Sequence, residues 1–140
     1  MPKAWPRILL GLLLVAGPGC ASDLVVIVNP QVPVQSVSGR KLLEIYSLRQ
    51  GFWNPEQPIR IMALQRDALS HQQFCERYLN LFSYRLEWLW SRHLYAGLGG
   101  LHQRFDSGRE LVAAVAATPG AIGYVEREDV NDQVRVLVVD

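Results

Sequence analysis

A continuous run of five apolar residues, Leu24–Val28, most constrains what this chain can fold into. The side chains of a strand alternate between the two faces of its sheet, so a strand that is apolar at every position must be covered on both faces. Asn29 and Pro30 follow at once and end the run. The sequence therefore predicts a central strand, buried between two layers of other elements.

The chain after this run alternates between helical and strand patterns. Ser107 and Glu110 form a capping box, the best-marked helix start, and Pro119 stops that helix. Such alternation predicts an α/β fold with a small mixed sheet of four strands, flanked by helices and containing at least one parallel pair. The predicted strands are 24–28, 59–64, 121–125 and 134–139, the predicted helices are 38–48, 69–81, 84–94 and 107–118, and loops are predicted at 51–58 and 97–100.

The first 21 residues have the organisation of a removable export signal. Lys3 and Arg7 precede an apolar run at 8–16, and Gly19 and Ala21 place small residues before a cleavage point. The apolar run is too short to span a bilayer. We expect cleavage after Ala21 and export to the periplasm.

The two cysteines bear on processing and on redox state. Cys20 lies at the processing site, where it is either removed with the signal or acylated as the first residue of a membrane-anchored lipoprotein. The residues at 17–18 depart from the usual lipoprotein signal. Cys75 is then the one cysteine left to form a disulfide, so no internal disulfide is expected. Its position in a helical pattern predicts that it packs as a small buried hydrophobe. Residues 22–140 are predicted to form one domain.

Charge and motif content exclude several classes of function. The chain has 14 basic and 13 acidic residues, and removing Lys3 and Arg7 with the signal leaves 12 basic residues and a net charge of about −1. Such a domain has no overall field that would gather nucleic acid. His71, His93 and His102 lack the spacing of a metal motif, and no nucleophile elbow or phosphate-binding loop is present. We therefore predict no enzyme activity, no cofactor, no metal and no nucleic-acid partner.

Three segments stand in a distinctive order: VIVNP at 26–30, SGRKLLEIY at 38–46 with Trp53 after it, and TPGAIGYVE at 118–126. In this order they resemble one lobe of the phosphate-type substrate-binding proteins of ABC transporters. The similarity spans nearly the whole mature chain and is most specific at 118–126. It implies one lobe of a type II periplasmic binding protein, with a role linked to phosphate uptake.

The resemblance also implies a ligand site on the turn into the helix at 69–81. Relatives carry there an Arg, an Asp and a Ser-Gly-Thr sequence that hold phosphate oxygens at the positive helix end. In this chain the turn reads QRDALSH at 65–71, so the Gly and the Thr are missing. The implied contacts to phosphate or a similar oxyanion are Arg66, Asp67, Ser70, His71 and, if its loop leaves the same edge of the sheet, Ser107.

The chain has residues for only one lobe, whereas the related receptors close two lobes on their ligand. A single lobe leaves an anion open to solvent, so we expect weak binding unless a protein partner or a second copy completes the site. The alternative is a periplasmic accessory or interaction module that kept the fold and lost the ligand. In that case Arg66 is a surface charge, and Ser70 and Ser107 are helix caps.

The aromatic residues leave a further choice open. They fit either a partner-binding face or core packing and loop anchoring. His93, on the apolar side of its predicted helix, is expected to pack rather than to bind a ligand. The aromatic set is Phe52, Trp53, Trp88, Trp90 and Tyr95.

Overall fold

A computed structural model describes residues 23–95 and 102–140, so the predicted export signal and the glycine loop at 97–100 lie outside the described residues. The strands are β1 (Leu24–Val28), β2 (Ser36–Val37), β3 (Phe52–Asn54), β4 (Gln57–Pro58), β5 (Arg60–Leu64), β6 (His102–Phe105), β7 (Ala121–Glu126) and β8 (Arg135–Val139). The helices are α1 (Gly39–Tyr46), α2 (Leu69–Phe74), α3 (Ser83–Tyr95) and α4 (Gly108–Ala117). Within this part of the chain, no helix combines the length and the apolar character needed to cross a membrane.

A mixed sheet of six strands, in the order β2-β8-β1-β7-β5-β6, forms the centre of the fold. β1 runs antiparallel to β7 and β8, whereas β5 runs parallel to both β6 and β7. All five residues of β1 are buried. The predicted central strand and mixed sheet are confirmed.

The prediction of four strands is wrong, because short or polar strands join the sheet. β6 has the sequence HQRF and pairs with β5 in a register that places His102 opposite Ile61. β2 contains only two residues, parallel to β8. β3 and β4 form a separate hairpin inside the predicted loop at 51–58. These strands exist because neighbouring backbones supply their hydrogen bonds, which a pattern of apolar side chains does not reveal.

Neighbouring residues of β7 show which helices cover each face. A Cβ added at Gly123 would lie 2.5 Å from a leucine side chain of α4, so α4 packs directly on this glycine. Tyr124 points to the opposite face and stacks on Phe74 of α2, with ring centroids 3.9 Å apart. On that same face, Trp90 of α3 donates to the carbonyl of Tyr46 in α1 (2.7 Å). Helices therefore flank the sheet on both faces, as predicted.

The predicted helix starts are confirmed at two positions. The Ser38 hydroxyl accepts the amide of Lys41 (3.0 Å) and caps α1. The Ser107 hydroxyl accepts the amide of Glu110 (3.2 Å), whose carboxylate accepts the amide of Asp106 (3.2 Å). The serine cap of α4 is thus confirmed, whereas Glu110 reaches back to the amide before the cap rather than to the amide of Ser107 that a capping box uses.

The helix predicted at 69–81 is divided in two. α2 ends at Phe74, and the chain continues as one π-helical segment, Cys75–Leu79. Asn80 ends this segment in the left-handed region (φ 53°), a conformation that asparagine tolerates better than most residues. The wider π-helical turn still buries Cys75 and Leu79.

Candidate functional site

The carboxyl ends of the parallel strands β5, β6 and β7 lie together at one edge of the sheet. α2 follows β5 and α4 follows β6, so both helices begin at this edge. The Gln65 side-chain amide donates to the Asp106 carboxylate (3.1 Å), and the Gln65 backbone amide donates to the carbonyl of Phe105 (3.2 Å). The two loops that precede α2 and α4 are therefore joined, as a shared site requires.

Arg66 and Asp67 lie exposed on the turn between β5 and α2. Within the described residues, neither side chain has a hydrogen bond or an ion pair. Arg66 borders an open cleft of about 400 Å³. The cleft is also lined by Gln65, Glu87, Trp88, Trp90, Ser91, His102 and Arg104. Arg66 is thus a free cation beside a depression of small-molecule size.

Ser70 connects α2 to the end of β7. Its hydroxyl donates to the Glu126 carboxylate (3.0 Å). The cap position of α2 is Ala68, which makes no side-chain capping bond. Ser70 therefore does not cap the helix, and its hydroxyl already has an anionic partner.

Carboxylates of the chain itself also lie at the start of α4. The Ser107 hydroxyl is engaged by the amide of Glu110. A Cβ added at Gly108 would collide with the Asp129 carboxylate, so Asp129 packs against the first turn. Negative charge is favourable there, because the helix dipole and free amides are positive at a helix start.

His71 lies inside the protein rather than at the exposed edge. Its side chain is fully buried, with Nδ1 bonded to the hydroxyl of Tyr124 and Nε2 3.2 Å from the Glu87 carboxylate. The Tyr124 oxygen accepts the amide of Leu64 (3.0 Å), so its own proton goes to Nδ1. Nε2 faces a carboxylate, which only accepts hydrogen bonds, so Nε2 donates to Glu87.

Glu87 holds this buried network together. Its carboxylate is paired with Arg104, whose other guanidinium nitrogen donates to the carbonyl of Leu64 (2.8 Å). Burial on its own raises the pKa of Glu87, but hydrogen bonds from His71 and Arg104 outweigh burial and leave the pKa below its usual value. Glu87 and Arg104 are not among the site residues predicted from the sequence. The available signal was the single acidic residue within the largely apolar stretch of α3.

Cys75 lies near this network without becoming reactive. Its sulfur is 3.8 Å from Nε2 of His71. Burial raises the pKa of the thiol to about 12, so it stays protonated at neutral pH and is a poor nucleophile. Cys75 is a free, buried cysteine, as predicted. No cluster of metal-ligating side chains occurs among the described residues.

The aromatic residues do not form one common face. Trp90 is buried and stacks on His102, with centroids 4.1 Å apart. Trp53 anchors a loop by donating to the carbonyl of Gly120 (2.9 Å). Phe52 and Trp88 are exposed. The side chain of Tyr95 lies outside the described part.

Three solved structures of bacterial phosphate-transport proteins are similar to this chain. A phosphate ABC transporter substrate-binding protein from Clostridium perfringens, with bound phosphate, gives a TM-score of 0.69 at 20% identity over 84% of this chain and 45% of that chain. An ABC-type phosphate transport receptor from Vibrio cholerae gives 0.65 at 15% identity over 84% and 46%. PstS from Borrelia burgdorferi gives 0.64 at 16% identity over 84% and 47%.

These similarities show the fold of the chain. It is that of a periplasmic binding protein domain, a sheet with helices on both faces. This chain spans less than half the length of each of the three proteins. No protein-family model and no curated protein match the sequence.

Proposed function

We propose that this chain is an exported solute-binding lobe, related to the phosphate receptors of ABC transporters, that binds an oxyanion weakly. One observation carries the proposal: the starts of α2 and α4 meet at one sheet edge, beside the exposed and unpaired Arg66. Arg66 would pair with the anion by charge-assisted hydrogen bonds. A protein partner or a second copy of the chain would supply the opposite wall, which the second lobe forms in two-lobed receptors.

The carboxylates at this edge are the reason for weak binding. Glu126 engages Ser70, and Asp129 packs on Gly108, so an entering anion meets like charge at both helix starts. His71, with both ring nitrogens bonded inside the protein, positions the network below the edge instead of contacting the anion. We expect dissociation constants for phosphate in the range of roughly 0.1–10 mM for the isolated chain.

Isothermal titration with phosphate and with sulfate tests this function. Arg66→Ala should weaken binding at least about tenfold, because it removes a charge-assisted hydrogen bond. Arg60→Ala is the matched control, since Arg60 is also exposed but lies at the opposite end of β5. Sub-micromolar binding by the monomer, or binding that survives Arg66→Ala, would contradict the proposal.

The same carboxylates favour a second candidate, an accessory module that kept the fold and lost the ligand. The double variant Glu126→Gln, Asp129→Asn separates the two functions. If a weak site exists, neutralising its competing carboxylates should tighten phosphate binding by a factor of about 3–10. If neither the natural protein nor the double variant binds phosphate or sulfate, the accessory function is the correct one.

A further inference from the structure

A groove between α1 and α3 is separate from the proposed oxyanion site. It has a volume of about 500 Å³ and shares no residue with the cleft beside Arg66. Its accessible apolar part is formed by the half-buried leucines Leu43, Leu81 and Leu89. A concave apolar surface of this size can bury several apolar side chains of a partner.

Three arginines give this groove a local positive charge. Arg40, Arg49 and Arg85 line it and are exposed, and Glu44 is the one carboxylate among its described lining residues. Within the described part of the chain, none of the three guanidinium groups has an ion pair or a hydrogen bond. The groove is therefore basic, although the mature domain as a whole is close to neutral. We call it the arginine groove.

On the exposed surface of α3 beside the groove, two arginines flank Trp88, which itself lines the cleft beside Arg66. The guanidinium carbon of Arg85 lies 5.5 Å from the ring centre of Trp88, and that of Arg92 lies 4.9 Å from the same ring. Trp88 is 48% exposed, whereas Glu87, the only acidic residue of α3, pairs with Arg104. Exposed tryptophan beside arginine is typical of the residues that dominate binding energy in protein interfaces.

We propose that the arginine groove docks an acidic amphipathic segment of a partner protein. Its apolar side chains would pack on the leucines, and its carboxylates would pair with Arg40, Arg49 and Arg85. The shape of the groove favours a peptide segment over a membrane, because a flat lipid surface does not reach leucines inside a concave groove. A peptide segment can place single side chains into such a depression.

A display library of amphipathic helical peptides tests the proposal. The peptides carry leucine on one face and random residues elsewhere, and they are selected against the purified exported protein and against the triple variant Arg40→Glu, Arg49→Glu, Arg85→Glu. We expect Asp and Glu to be enriched beside the leucines. A selected peptide should lose at least about tenfold in affinity for the triple variant and should bind the natural protein less tightly as salt increases.

A second triple variant, Lys41→Glu, Arg60→Glu, Arg109→Glu, controls for net charge. It reverses three exposed cations outside the groove and should leave peptide affinity within about a factor of three. Thermal melts confirm that both variants are folded. Selection without acidic enrichment, or peptides that bind the groove variant equally well, would overturn the proposal.

Two further measurements complete the test. Vesicles containing anionic phospholipid serve as the membrane probe, and vesicle binding lost in the groove variant while no peptide is selected would overturn the proposal in favour of a lipid surface. Phosphate titration of the neutral double variant Arg40→Gln, Arg49→Gln should match that of the natural protein within about a factor of three, because neither residue lines the cleft. Failure of the docking proposal is thus distinguishable from failure of the oxyanion proposal.

Discussion

Single residues decide which hydrogen-bond donors are available to a ligand at the sheet edge where α2 and α4 begin. Glu87 pairs with Arg104 and accepts a hydrogen bond from Nε2 of His71. Two side chains that could donate to an anion, Arg104 and His71, are therefore already bonded to a carboxylate of the protein. Arg66, a few residues before His71, has no such partner among the described residues and stays exposed. The sequence identified His71 and Arg66 equally well as donors. It did not reveal that a carboxylate from another helix would bind one of them.

The carboxylate of Glu87 should make stability depend on pH. Its pKa is below the usual value in the folded protein, so its contribution is complete above the unfolded pKa of about 4.3 and is lost as pH falls through the folded pKa. We expect Glu87→Gln to lower stability at pH 7 and to flatten the loss of stability below pH 4.3. Urea melts of both proteins between about pH 3 and pH 7 measure this.

These melts have a control variant and an outcome that would contradict the prediction. Glu76→Gln is a suitable control, because Glu76 is an exposed glutamate that lies outside the network. A parallel loss of stability on acidification in the natural protein and in Glu87→Gln would show that other carboxylates cause the pH dependence.

At the scale of elements, the sequence predicted those that carry their own signal. β1 is apolar throughout, and α1 and α4 have serine caps, so these three appear where expected. β6 and the hairpin of β3 and β4 were missed because their residues are polar or exposed. Whether the loops before α2 and α4 meet depends on the order of β5, β6 and β7 in the sheet, which the sequence does not show.

The central strands should respond strongly to truncation. Ile27 in β1 and Ile122 in β7 have no exposed surface. Changing either to alanine removes buried methyl groups and leaves a cavity, which should cost about 2–5 kcal/mol of unfolding free energy. Val138→Ala, at a position in β8 that is 55% exposed, should cost less than about 0.5 kcal/mol. Guanidinium melts measure these losses of unfolding free energy. Small losses at both isoleucines would contradict the placement of β1 and β7 at the centre of the sheet.

The whole molecule combines an acidic sheet edge with a basic groove. Glu126 and Asp129 lie at the edge where α2 and α4 begin, whereas Arg40, Arg49 and Arg85 line the groove between α1 and α3. The near-zero net charge of residues 22–140 hides this separation. The sheet edge and the groove therefore present different local charges to whatever binds them.

Processing determines which molecule acts in the cell. We predict cleavage after Ala21, which leaves the sheet intact because β1 begins at Leu24. Mass spectrometry of the purified exported protein should show Ser22 as the first residue. An intact Met1 would contradict export, and a diacylated Cys20 would show that the domain is anchored to a membrane.

Completion of the site by a second copy makes a distinct prediction for the whole molecule. If two copies share one anion, phosphate binds the dimer more tightly than the monomer, and by linkage it must shift the equilibrium towards the dimer. Sedimentation velocity at increasing phosphate should then show growth of the dimer fraction. Arg66→Ala should remove this dependence, because the anion loses its cationic contact. An unchanged monomer at every phosphate concentration would leave a different protein as the missing wall.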